Sequence, residues 1–229
     1  MVPQTKAVKI TAKKKKVWGK FPWQGLPGFP IIGVDEVGRG CLAGPVYASA
    51  VIIRPERPWQ HYTDSKKLSA SRRQEYGAQI QADHLVGIGF ASIDEITKLN
   101  ILNAALLAMC RAVRELGVES GHILVDGNQR IPGLEGFEQT TLIKGDLRAE
   151  PVAAASIVAK VTRDNLLIEA AKEFPHYRFE DHKGYATPIH KKMLQRLGPC
   201  SFHRPTFSGV KEYLSSIKQE SKIKQESKG

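Results

Sequence analysis

Cysteine is scarce in this chain: Cys41, Cys110 and Cys200 stand far apart, odd in number and in no C-x-x-C pair. That excludes a disulfide framework and a cysteine-built zinc site, and it fits a reducing cytoplasm. Long apolar runs are missing as well. No stretch reaches the roughly 18 residues of a membrane span, and the first thirty residues carry no apolar signal core, so neither spanning nor secretion is supported. Acids are absent from residues 1–30 altogether, a segment that holds seven lysines (Lys6, Lys9, Lys13, Lys14, Lys15, Lys16 and Lys20).

Basic charge is plentiful. The net charge is +11 with a pI near 9.6, which points to a polyanionic partner, nucleic acid or an anionic surface. Seven of these charges sit in residues 1–30 and two in residues 209–229, which leaves +2 for residues 31–208. The body must therefore recognise its partner with placed residues more than with bulk charge. At 229 residues and 41% hydrophobic, the chain can bury one core well and two poorly, so a single domain is expected. A monomer is the expected state.

The lysine run 13–16 leads into Trp18, Trp23 and a Pro/Gly-rich stretch ending at Pro30, a mobile basic arm followed by an ordering segment. The peptide IKQESK occurs at 217–222 and again at 223–228, too short and polar for a repeat architecture. The expected layout is a flexible extension over 1–30, a body over 31–208 and a partly disordered tail over 209–229. Within the body, 31–35, 46–54 and 85–93 are short, β-branched and bounded by glycine, proline or charge, so strands are predicted. A long helix follows, with Ser92 and Glu95 as a capping box and Ile96, Leu99, Leu102, Leu106, Met109, Val113 and Leu116 stepping by three or four until Gly117. Strands at 122–126 and 138–144 and a second helix over 151–174 complete an α/β pattern, a sheet covered by helices.

Two apolar runs end in acids, one in Asp35-Glu36 and the other in Asp126-Gly127. Ligands of open α/β sheets sit beyond the carboxyl ends of strands. A solvated acid opening a turn explains either one alone, and the pair brings the functional reading level with it. Neighbours within a strand point to opposite faces, so Asp35 and Glu36 converge only if the strand stops there. Gly38-Arg39-Gly40 supplies the stop, and glycines let a backbone approach a ligand closely.

With GVDEVGRGCLAGPV at 33–46 stand DSKKLS at 64–69, LVDG at 124–127, KGD at 144–146, AAASIVAKVTRD at 153–164 and KGYATPIH at 183–190. Six motifs in this order over about residues 31–208 resemble the type 2 ribonucleases H, the ribonuclease HII family. The resemblance implies a ribonuclease H-like fold, a mixed central sheet flanked by helices with a carboxyl-terminal helical extension. It implies a metal-dependent endonuclease for RNA–DNA hybrids and for duplex DNA carrying single ribonucleotides. Asp35, Glu36, Asp126 and Asp146 would be its catalytic carboxylates, holding two Mg²⁺ or Mn²⁺ ions. Hard divalent ions favour carboxylate oxygen, and an ion pair can activate water while stabilising a leaving oxygen. Asp146, beside Lys144, also fits a plain surface ion pair.

The same resemblance makes Gly38, Arg39 and Gly40 a backbone clamp on the 2′-hydroxyl, the group that separates RNA from DNA. It makes Tyr185 the residue packed on the sugar at an RNA–DNA junction, against the alternative of a half-buried structural tyrosine. Ala186 departs from the glycine or proline expected there. Lys66 and Lys67 are phosphate contacts or ordinary surface lysines. Ser156, Lys160 and Asp164 share one helix face, which fits a solvated face or a Lys160–Asp164 pair, while the resemblance implies a layer supporting the carboxylates; His190 is structural or peripheral because the seven histidines show no ligand spacing. Three rivals remain: a DNA-junction nuclease on a related carboxylate-bearing sheet, a non-catalytic RNA-binding protein using the basic arm, and a type 3 ribonuclease H.

Overall fold

The computed structural model describes residues 18–57 and 62–215, so the lysine run and the duplicated hexapeptide lie outside the described residues. Five strands form one sheet: β1 (Ile31–Val37), β2 (Val46–Ile52), β3 (Leu85–Ala91), β4 (Gly121–Asp126) and β5 (Phe137–Leu142). Their spatial order is β3-β2-β1-β4-β5. The first three pair antiparallel as a meander, whereas β4 and β5 join parallel to β1. The sheet is therefore mixed, as the sequence motifs imply.

Among the described residues, helices α1 (Ala70–Asp83), α2 (Ile93–Glu115), α3 (Gly145–Arg148), α4 (Glu150–Glu173), α5 (Phe179–His182) and α6 (Pro188–Leu197) surround it. The expected capping box at Ser92 and Glu95 is present in both directions. One face of the sheet packs on α2 through Val34, Ala48, Ala108, Met109 and Val113, the other on α4 through Val51, Ala153, Ala154 and Ile157. Among the described residues α2 is the one helix with the length and hydropathy of a membrane span, yet its apolar face is buried on the sheet. The amino end of α4 comes so close to β1 that a Cβ on Gly33 would overlap the backbone of Pro151.

Several elements differ from the sequence expectation. β1 runs two residues beyond Asp35, and β2, β3 and β5 stop two residues early. Lys144 does not extend β5; it turns left-handed (φ 60°) and starts α3. α1 was not foreseen because it buries only Gly77 and Ile80, too sparse a stripe to show a period. α2 is broken inside at Asn100 (φ 67°), whose Oδ1 accepts from the amides of Leu102 and Asn103 and so caps the second half. At the ends, Phe21, Trp23 and Leu26 pack against Ile31, Leu124, Leu142 and Val152, so the expected flexible extension is docked from residue 18. Val210 is fully buried against Leu42 and Leu194, so the tail too is docked at its start.

Candidate active site

The parallel neighbours β1 and β4 end side by side, and their terminal acids meet at the rim of one cleft of about 200 Å³. Asp35, Glu36, Gly38, Ser65, Lys66, Asp126, Ser156, Lys160 and Tyr185 line it. The strand does not stop at Asp35-Glu36: Asp35 pairs with Ser49 and Glu36 with Ala48 in regular register. The two side chains consequently leave opposite faces. Asp35 turns toward Ser156 of α4, whereas Glu36 borders Ala105 and Met109 of α2. Convergence comes from the cleft wrapping around the strand end, not from a break in the strand.

Asp146 reaches the same place from α3. The amide of Gly145 donates to Asp126 Oδ1 at 2.7 Å, which ties α3 to the end of β4. Asp146 is buried, and its Oδ1 has no hydrogen-bond partner. The expected alternative, a surface ion pair with Lys144, is not formed among the described residues.

Crowded carboxylates in a dry site resist ionisation. Burial, then Glu36 and Asp126, push Asp35 well above the usual carboxylate range despite a hydrogen bond from Ser156. Burial also raises Glu36, against the pull of Arg39, whose Nη1 donates to Glu36 Oε1 at 3.2 Å. Asp146 is raised by burial, then by Asp126 and Asp64. Among the described residues no three His, Cys, Asp or Glu side chains form a ready-made ion cage.

The loop after β1 is held from beneath by two fully buried arginines, neither singled out in the sequence. Arg163 of α4 donates to the carbonyls of Pro45 (3.1 Å), Lys183 (2.9 Å) and Ala43 (2.9 Å). Arg204 donates to Gly44 O at 2.8 Å and to Arg39 O at 3.1 Å. Burial lowers Arg204 to about 10, and neither guanidinium has an acid partner among the described residues. Arg163 stood inside the AAASIVAKVTRD motif, where its place between Lys160 and Asp164 could have flagged it; Arg204 carried no such signal. Gly38 (φ 97°) has no room for a side chain, since a Cβ would overlap the Arg163 guanidinium.

Tyr185 lies across this loop. It forms a bridge with Cys41, and the Leu42 amide donates to Gly184 O at 2.8 Å. Its ring sits 5.2 Å from Lys160 Nζ and 5.8 Å from the Arg163 guanidinium carbon, and 37% of the residue stays exposed. Burial pushes its hydroxyl up to about 12, so it stays protonated and able to donate. Lys66 lines the cleft, while Lys67 on the same turn does not. The α4 stripe is not a solvated face: Ser156 is buried, Lys160 pairs with Asp164 at 2.6 Å, and Ser156 and Lys160 line the cleft, where Ser156 Oγ lies 3.0 Å from Ser65 Oγ. His190 is structural. It is fully buried, contacts Tyr185 O at 2.9 Å and His203 at 3.0 Å, and is held neutral by burial, which lowers it to about 4.

A mixed sheet of this order with clustered acids at the ends of its central strands defines an α/β nuclease of the ribonuclease H-like type. The family model for ribonuclease HII matches residues 32–210. The chain is 45% identical over 219 residues to a ribonuclease HII of Parvibaculum lavamentivorans, covering 93% of this chain and 81% of that one. It is 48% identical over 186 residues to that of Maricaulis maris, covering 81% and 85%. Among solved structures, the ribonuclease H2 of Pyrococcus horikoshii superposes with a TM-score of 0.67 at 22% identity, over 82% of this chain and 98% of that one. A ribonuclease HIII, Bst-RNase HIII in complex with Mn²⁺, gives 0.58 at 18% identity, over 82% and 70%. The chain belongs to the ribonuclease HII family. It is a ribonuclease H, a hydrolase that cuts the RNA strand of RNA–DNA hybrids.

Proposed function

We propose that this enzyme hydrolyses the RNA strand of hybrids, and cuts 5′ of single ribonucleotides embedded in duplex DNA, with Asp35, Glu36, Asp126 and Asp146 holding two divalent cations, Mg²⁺ or Mn²⁺. The observation that carries this reading is the meeting of Asp35, Glu36 and Asp126 in a cleft that also contains Gly38 and Tyr185, with Asp146 of α3 near enough for Asp126 to raise its carboxyl. The donor set fits a hard cation: every donor is a carboxylate oxygen, three of the acids are raised by burial and then by neighbouring carboxylates, and Asp146 Oδ1 is buried without a partner. Bound divalent ions would supply charge neutralisation at the phosphate and activation of a water.

The chain's own groups do the positioning. Glu36 would be one of the residues holding the cation, and its ion-pair partner Arg39, nearly half exposed, is placed to meet a phosphate. Arg204 holds the Arg39 carbonyl and Arg163 those of Ala43 and Pro45 further along the loop, so the main chain that carries Gly38, Arg39 and Gly40 is braced before a ribose arrives. Those groups read a 2′-hydroxyl regardless of base. Tyr185 offers an exposed ring edge for the neighbouring sugar, and Lys66 adds charge for a phosphate. The substrates are hybrid and ribonucleotide-containing duplexes. An all-DNA duplex separates this reading from a DNA-junction nuclease: measured with Mg²⁺ or Mn²⁺, a matching hybrid should be cut and the all-DNA duplex left whole. Equal cleavage of both would refute it.

A further inference from the structure

Asp146 is the most awkwardly placed of the four acids. It sits in a helix of four residues, is repelled by Asp126, and leaves one buried oxygen unbonded. A single helical turn cannot hold such a side chain by its own hydrogen bonds, because so short a helix is unstable alone. Something outside α3 must fix it.

The segment 18–26 does so from the outer surface. The Phe21 amide donates to Arg148 O, the last residue of α3, at 2.8 Å. Arg148 Nε donates back to Gly19 O at 3.2 Å, and its guanidinium lies 5.7 Å from the Trp18 ring and 5.9 Å from that of Phe21. Two residues on, Glu150 opens α4. Its carboxylate accepts from Lys20 Nζ at 2.8 Å and from Trp23 Nε1 at 2.7 Å, and these partners hold it below the usual glutamate range although it is buried. Phe21, Trp23 and Leu26 pack on Leu142, Ala149 and Val152, the residues that bracket α3 in sequence. Both exits of the Asp146 turn are thus gripped by one strand of chain preceding β1.

We propose that residues 18–26 form a strap that positions Asp146 through Arg148 and Glu150, and so sets the affinity of the carboxylate site for its divalent cation. The inference rests on the metal-holding role proposed above for Asp146. Trp18, Phe21 and Trp23 are positioning residues here, since none of them lines the cleft. The strap also joins the lysine-rich residues before it directly to the turn that carries Asp146.

Mn²⁺ binding by the full-length protein without nucleic acid, followed by calorimetry, tests this for Trp23→Phe, Trp23→Ala and Glu150→Gln, with melting temperature recorded for each. Trp23→Phe keeps an aromatic ring in the cluster with Leu142 and Val152 and removes the indole N–H that donates to Glu150, so it should stay folded. All three variants should weaken Mn²⁺ binding, the alanine variant by about tenfold, the scale seen when groups behind metal ligands are removed. In the hybrid assay the Mn²⁺ concentration for half-maximal activity should rise in parallel, with the rate at saturating Mn²⁺ nearly restored. Unchanged Mn²⁺ affinity in Trp23→Phe and Glu150→Gln would overturn the strap, and so would a loss of melting temperature with no loss of affinity. If Asp126→Asn also leaves Mn²⁺ affinity unchanged, the metal reading itself fails, which distinguishes the two.

Discussion

Three acids with raised proton affinity, Asp35, Glu36 and Asp146, give the apo protein a defined pH response. A carboxyl raised on folding binds its proton more tightly in the native state, so its contribution to stability is full at low pH and declines as pH rises through the native value. Without divalent ions, stability should therefore fall as the pH climbs out of the usual carboxylate range toward neutrality. Adding Mg²⁺ or Mn²⁺ should raise the melting temperature most near neutral pH and least in acid, because protons compete with the cation. A metal effect independent of pH would contradict the assignment. Among single substitutions, Asp126→Asn keeps shape and removes charge. It should cost several kcal/mol of transition-state stabilisation, a rate loss of about a hundredfold or more, with hybrid binding largely kept; wild-type turnover would remove Asp126 from the site. Tyr185→Ala should depress cleavage at a single-ribonucleotide junction more than cleavage of a long hybrid, where further ribose contacts compensate. Equal losses on the two substrates would make Tyr185 structural.

At the scale of elements, the loop 38–45 is ordered by α4 and by residues 202–204 more than by itself. Arg163→Lys keeps the charge but cannot span three carbonyls with one ammonium. Leaving buried carbonyls unmade costs about 1–3 kcal/mol each, so this variant should lower the melting temperature and blur discrimination between RNA and DNA together. A fall in stability with discrimination intact would separate the arginine from the loop's function. This loop also shows where the sequence was legible and where it was not. Strand starts, and the cleft positions of Asp35, Glu36 and Asp126, could be read because short apolar runs led into charge, and α2 because its apolar residues stepped at helical spacing. The supports were hidden. Arg204 and Trp23 act over more than a hundred residues of separation, a distance at which local pattern carries no information. α1 was invisible because a nearly polar helix has no stripe, and the true end of β1 because the cleft tolerates a strand that runs on.

For the whole molecule, charge and fold separate. The body from residue 31 to 208 carries little net charge, so the expectation is that placed groups at the cleft give selectivity and the lysine-rich start gives general attraction to phosphate. Removing residues 1–17, which spares the strap, should weaken hybrid affinity and flatten its salt dependence by about 0.9 in log-log slope for each phosphate that is no longer neutralised. The bond cut should not change. Unaltered affinity at low salt would show the lysine run to be incidental to binding. In the proposed mechanism four acids cut where a main-chain loop and Tyr185 read one ribose. Cleavage of a DNA duplex carrying one embedded ribonucleotide, with Mg²⁺ or Mn²⁺ present and product ends mapped, puts that arrangement to the test. A single cut on the 5′ side of the ribonucleotide, lost when the metal is removed, is the expected result; no cleavage of this duplex by an enzyme active on a long hybrid would contradict it.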